Sequence, residues 1–227
     1  MTSEKIAPRR LILITLTLLL VISGGAALAN RSTLPKAIPL DWEGQPTIGY
    51  TKAKVHVVVF EEPKCGNCRE YNQKIFPKIK SNFIDTNKIT YTVIPVSFLP
   101  GSMPAATALM CVYNAEPMYP NSELFFTYLD YLYNNQPIEK RDWATPDTLV
   151  EMAGKASPAI QLEKLKNCIE MQSYRIRIEK NTAYGKQVMG GVISTPTFFV
   201  NGMEVKELTF DKASTMIKQV MASVGVK

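Results

Sequence analysis

Residues 55–60 read VHVVVF, an apolar run with almost no polar interruption. A strand with one wet face alternates, because successive side chains point to opposite sides of the sheet. An unbroken β-branched run instead fits a central strand covered on both faces, and Lys54–Phe60 is read as one. That requirement already points to a sheet with helices on either side. The only histidine, His56, falls inside this run. It is read as a core or edge-strand residue rather than as a ligand or base.

Other segments fill in the layers. KITYTVIPV (88–96) is a second buried strand, and Cys68–Ser81 is helical, with Tyr71, Ile75 and Ile79 on one face. A short edge strand is expected near Ile38–Trp42 in the Pro-rich lead-in. From 104 to 190 the periodicity is helical and strand patterns vanish. Breaks are expected at Asn114–Pro120, Asn134–Pro137 and Lys155–Pro158, and Thr145-Pro146-Asp147 reads as a helix start. Strand character returns at Thr197–Val200. Asn201-Gly202 is a two-residue hairpin turn, Met203–Lys206 the returning strand and Asp211–Val224 a final amphipathic helix. The order β-β-α-β, helices, β-β-α describes an α/β sheet built from both ends of the chain, with an all-helical insertion. The aromatics Phe125, Phe126, Tyr128 and Tyr131 read as core and rim of that insertion, and Trp143 as a packing anchor. Met189 is placed on the apolar surface around the thiols described next, or in ordinary packing.

After the central strand comes FEEPKCGNCREY (60–71). Cys65 and Cys68 then lie at the first turn of a helix. Free N–H groups and the helix dipole stabilise a thiolate there, and Lys64 and Arg69 add a little. Cys65 is expected to be the exposed, attacking thiol and Cys68 the buried, resolving one. A metal site needs more ligands than this neighbourhood offers, so no metal and no cofactor are expected. A purely structural Cys65–Cys68 bridge closes too short a loop to stabilise much. Further on, GGVISTPTFFVNG (190–202) opens a buried strand with Thr195-Pro196. Proline cannot donate to a sheet ladder. A cis Thr195–Pro196 bond beside the thiols explains it, leaving backbone free for a substrate peptide.

The chain has 227 residues and a net charge of +6. Residues 1–29 carry Lys5, Arg9, Arg10 and Glu4, and the remaining charge is scattered without a basic block. A nucleic-acid partner is not expected. Three cations, the apolar stretch Leu11–Ile22 and Ala27-Leu28-Ala29 are the parts of a secretory signal peptide; residues 11–29 would otherwise serve as a membrane tether. Both readings place the rest of the chain in a periplasmic or extracytoplasmic, disulfide-tolerant compartment. The expected organisation is 1–29 signal peptide or anchor, 30–44 tether, 45–103 with 190–227 the sheet-bearing domain, and 104–189 the helical insertion.

Together these pieces resemble the thioredoxin fold, and the chain is similar to the DsbA-like thiol-disulfide oxidoreductases. The stretches that carry the resemblance are QPTIGYTKAKVHVVVFEEPKCGNC, LFFTYLDYLYNNQ, RDWATPDTLVEMA, LEKLKNCIEM and YGKQVMGGVISTPTFFVNG. The resemblance implies Cys65 as nucleophile, Cys68 as resolving thiol and Thr195-Pro196 as the substrate-binding pair. It departs from the best-known members in having Gly66-Asn67 where they carry Pro-His. Val59 occupies the position of a buried acid, with Glu61 and Glu62 read as solvated loop carboxylates or as its replacement. Cys111 and Cys168 are read either as inert packing thiols or as a second disulfide, since some relatives have cysteines at similar places. The expected activity is disulfide exchange with cysteine-containing exported proteins, as an oxidase served by a quinone-linked membrane partner. The alternatives are a reductase or isomerase fed by a thiol carrier, a single-client assembly factor, or a non-catalytic binding or chaperone protein. A monomer is expected.

Overall fold

The structure is a computed structural model that describes residues 34–226. The targeting or tether segment, residues 1–29, lies outside them. Among the described residues no helix is long and apolar enough to cross a membrane.

Five strands form one mixed sheet: β1 (Thr47–Gly49), β2 (His56–Glu61), β3 (Thr90–Pro95), β4 (Thr197–Val200) and β5 (Met203–Glu204). Their spatial order is β1-β3-β2-β4-β5. β2 runs parallel to β3 and antiparallel to β4, and β1 lies antiparallel on the far side of β3. The VHVVVF run therefore sits at the centre, with Val57, Val58, Val59 and Phe60 all buried. On one face Val58, Phe60, Ile94, Val96 and Phe199 pack together beneath Tyr184, Val188 and Met189. On the other, Tyr71 meets Phe198, and Phe76 meets Tyr91. Burial of both faces is what removes alternation from the sequence.

The helices are α1 (Gly66–Lys74), α2 (Phe76–Ile79), α3 (Met103–Tyr113), α4 (Ser122–Asn135), α5 (Pro146–Ala156), α6 (Leu162–Glu170), α7 (Arg175–Val188) and α8 (Phe210–Ser223). Thr145 caps α5 through its hydroxyl, which accepts the Thr148 N–H. Helices α3–α6 pack on one another, and Cys111 of α3 is joined to Cys168 of α6 by a disulfide. Helix α7 packs on the sheet through Tyr184 against Phe60, although it falls within 104–189. Phe125 and Tyr128 are core residues of the helical block and Trp143 is buried.

Three local expectations are corrected. The edge strand is Thr47–Gly49, not Ile38–Trp42. Ile38 still donates to the Gly202 carbonyl, but Pro39 has no N–H with which to continue a ladder. The helix expected over Cys68–Ser81 begins at Gly66 and breaks at Ile75, because Pro77 cannot donate back into α1; α2 restarts there and runs into a π turn, Lys80–Ile84. A further break between α6 and α7 turns on Gln172, whose φ of +50° was not legible.

The hairpin turn has φ +47° at Asn201 and +79° at Gly202, which suits a two-residue turn of the primed type. A side chain on Gly202 would overlap the Ile38 backbone. The Cys111–Cys168 bridge spans 57 residues, so by chain entropy it contributes about 4 kcal/mol. Denaturant unfolding tests this. In a background with Cys65 and Cys68 both changed to Ser, replacing Cys111 and Cys168 by Ala should lower stability by about that amount.

Candidate active site

Cys65 is the N-cap of α1. Its backbone is extended (φ −68°, ψ 126°), and no side chain in the first turn is acidic. The loop Glu62-Pro63-Lys64 turns the chain from β2 into this position, with the Cys65 N–H on the Glu62 carbonyl. Cys65 is only 8% exposed, so the freely exposed thiol that the sequence suggests is corrected. Cys68, one turn on, is fully buried, and the Glu62 N–H points at its sulfur from 3.5 Å. Both thiols are free.

The two thiols differ in acidity for physical reasons. Cys65 is held at about 6. The largest cause is the hydrogen bond from the Cys68 thiol. Burial opposes it, and the Thr195 side chain and the backbone N–H groups of Cys68 and Asn67 add to it. Cys68 is pushed well up, first by burial, then by donating its hydrogen bond to Cys65 and by the negative charge of Cys65 and Glu61. A thiolate is the nucleophile and the better leaving group, so this asymmetry assigns chemistry to Cys65 first.

Across from the thiols, the Thr195–Pro196 peptide is cis. The Thr195 carbonyl oxygen lies 3.6 Å from Cys65 Sγ. Thr195 is buried and its hydroxyl has no hydrogen-bond partner, which leaves it free to turn to the Cys65 thiolate, whose ionisation its side chain favours. Met189 Sδ accepts the Ser194 N–H and fixes the approach to this loop. A groove of about 660 Å³ runs beside it, lined by Asn67, Tyr71, Thr195, Pro196, Leu208 and Phe210. The sequence-derived residues Cys65, Cys68, Thr195 and Pro196 thus share one site. Cys111 and Cys168 are elsewhere, in the helical block.

Lys64 and Arg69 place their donors on backbone carbonyls. Lys64 Nζ donates to the Pro100 carbonyl and Arg69 to the Gln136 carbonyl. His56 lies on β2, hydrogen-bonded to the Thr92 hydroxyl and against Trp42, and burial lowers its pKa to about 4. No group of three or more metal-ligating side chains occurs among the described residues.

The largest correction concerns Glu61 and Glu62. Of the two sequence readings, the solvated one does not hold: they are 1% and 0% exposed. Glu61 ends β2 and faces the hydroxyls of Tyr133 and Tyr91 and the side chain of Asn72. Tyr91 in turn bonds Tyr71 at 2.7 Å. Glu62 faces Ser102 and accepts the Lys64 N–H. Burial raises each pKa to about 8. In sequence, the extension of the apolar run into Glu-Glu-Pro was the available sign, because β3 pairs as far as Glu61.

The sign of the linkage follows. An exposed glutamate titrates near 4.5, and Glu61 in the fold near 8. The folded state holds the proton longer. Its contribution is full below about 4.5 and is lost as pH rises through about 8. Glu61→Gln cannot ionise. The stability of that variant relative to the native protein should therefore rise between about pH 4.5 and pH 8 in parallel urea melts, and a flat difference would remove the buried-acid assignment.

A family model described as Thioredoxin matches residues 41–219. Disulfide bond formation protein D of Bacillus subtilis is 30% identical over 179 residues, covering 78% of this chain and 77% of that protein. Among solved structures, Chlamydia trachomatis DsbA superposes with a TM-score of 0.76 at 36% identity, over 84% of this chain and 98% of that one. BdbD of Bacillus subtilis, in its oxidised form, gives 0.74 at 28%, over 84% and 100%.

Proposed function

The chain belongs to the DsbA-like thiol-disulfide oxidoreductases, enzymes of the thioredoxin fold with a helical insertion, and on that premise we propose that it is an exported disulfide oxidase whose redox pair is Cys65–Cys68. The observation that carries the reading is the pairing of an acidic thiol at a helix N-terminus with a buried, proton-holding partner, beneath the carbonyl of Thr195.

In the oxidised enzyme a client thiolate attacks Cys65 Sγ. The Cys65–Cys68 bond breaks, and Cys68 leaves with the electron pair and takes up a proton. The Glu61 carboxyl, kept protonated by burial, is a proton source in the same dry pocket. The client's second thiolate then attacks its own sulfur in the mixed disulfide and expels Cys65 as a thiolate. A low pKa favours that departure. The client has lost two electrons and the pair has gained them. A quinone-linked membrane partner would remove them; were the enzyme a reductase or isomerase, a thiol carrier would supply them. Clients are cysteine-containing exported proteins. Their backbone would lie along Thr195-Pro196, and their side chains would lie in the neighbouring groove. The compartment is periplasmic or extracytoplasmic, reached through residues 1–29, and the enzyme acts as a monomer.

Two experiments test the reading. Cys65→Ser should abolish oxidation of a reduced client, while Cys68→Ser offered a client disulfide should accumulate a client joined to Cys65, seen on non-reducing gels, because Cys65 opens the client disulfide and no second enzyme thiol remains to release the client; activity without Cys65 would sink it. Equilibration with glutathione gives the direction. Reduction potentials in this class run from roughly −120 mV for strong oxidants to roughly −270 mV for thioredoxin, and a value near the lower end would replace the oxidase with a reductase.

A further inference from the structure

The N-terminus of α1 receives two anions, not one. Cys65 Sγ takes the backbone N–H groups of Asn67 and Cys68. The remaining N–H of that first turn, from Gly66, donates to Glu139 Oε2 at 2.8 Å. Glu139 comes from the loop after α4, 73 residues along the chain. That loop is pinned around the start of α1. The Gln136 side chain donates to the Lys64 carbonyl, and the Gln136 carbonyl receives Arg69. The carboxylate is therefore held at this N–H by three separate contacts between the insertion and the redox helix.

We infer that Glu139 is a positioning residue of the insertion that lowers the oxidising power of the Cys65–Cys68 pair by competing with the Cys65 thiolate for the N-terminus of α1.

A carboxylate at a helix N-terminus is stabilised by the same N–H groups and dipole that stabilise the thiolate. Placing both there neutralises part of the field and adds a like charge. Each effect disfavours the thiolate, and hence the reduced pair. Burial keeps Glu61 and Glu62 protonated toward neutral pH. Lys64 and Arg69 keep their charges while donating to the Pro100 and Gln136 carbonyls, and they are unchanged in every Glu139 variant, so a difference between variants isolates the Glu139 charge. Glu139 also adds to the upward shift of Glu62, so its charge is felt inside the pocket. The position between the cysteines that carries histidine in the best-known relatives is Asn67, which is exposed and uncharged.

The inference rests on Cys65–Cys68 being the redox pair. The test is the equilibrium of the full protein with glutathione, in which the protein disulfide and two glutathione thiols give the protein dithiol and glutathione disulfide. Glu139→Gln keeps an acceptor for the Gly66 N–H without the charge. Its equilibrium should move toward the dithiol by about two- to fivefold, or about 10–20 mV more oxidising. In the reduced protein, the midpoint of thiolate absorbance for Cys65 should fall by about 0.3–0.7 pH. Glu139→Lys should move both further in the same direction, and Glu163→Gln, at an exposed position of α6, should move neither. A merely structural contact predicts a different pattern: Gln would behave as native, and Lys would behave as a general loss of folding stability. Equal potentials and equal thiol midpoints in the native, Gln and Lys proteins, or a shift toward the disulfide, would overturn the inference. If those proteins still oxidise client thiols and Cys65→Ser does not, the functional reading stands and only the role of Glu139 falls.

Discussion

Burial of β2 on both faces is the constraint on which everything else hangs. Its four central residues, Val57 to Phe60, have no solvent-facing side, so helices must cover each surface. That places α1 on one face through Tyr71 and α7 on the other through Tyr184 and Val188. It also brings the C-terminal end of β2 to the point where a helix begins. A strand that is dry to its end delivers the following loop into a dry place. Cys68, Glu61 and Glu62 are buried for that reason, and their raised pKa values are consequences of the same packing.

The helical insertion is more than a lid on one layer. Tyr133 of α4 donates to the Glu62 carbonyl and faces Glu61. Gln136, at the end of α4, reaches the Lys64 carbonyl. The β2–α1 loop is therefore set by contacts from residues more than sixty positions away. A disulfide between α3 and α6 holds the block that presents those contacts. Stability in the insertion and geometry at the thiols are linked through the loop that follows α4.

Much of this was legible. The central strand, the second strand, the Asn-Gly hairpin and the Thr145 cap each have a local physical cause, and each appeared within a few residues of its predicted place. The thiols and Thr195-Pro196 were legible because a cysteine pair at a helix start and a proline at a strand start are both locally costly choices. What was not legible depended on distant partners. Glu61 and Glu62 look like solvated loop acids until Tyr133, Tyr91, Asn72 and Ser102 are brought round them. Glu139 sits in an unremarkable polar turn, and only the fold shows that it lies against Gly66. The partners of Lys64 and Arg69, the backbone carbonyls of Pro100 and Gln136, were not legible either, because both lie far along the chain.

The groups that hold the Cys65 thiolate are neutral. The donors to Cys65 are a thiol, a hydroxyl side chain and two backbone N–H groups, all neutral and all fixed by the fold. Neutral donors in a dry pocket act strongly but only at short range, whereas a histidinium would act on the whole neighbourhood, including the three glutamates. With Asn67 in its place, those acids can lie close by without being drawn into ion pairs. Glu61 and Glu62 then keep their protons at neutral pH, and Glu139 keeps the remaining helix N–H. Acid-rich surroundings and a histidine-free Cys-x-x-C are thus two sides of one electrostatic arrangement, in which neutral donors hold the thiolate and its acidity is set by how those donors are shared.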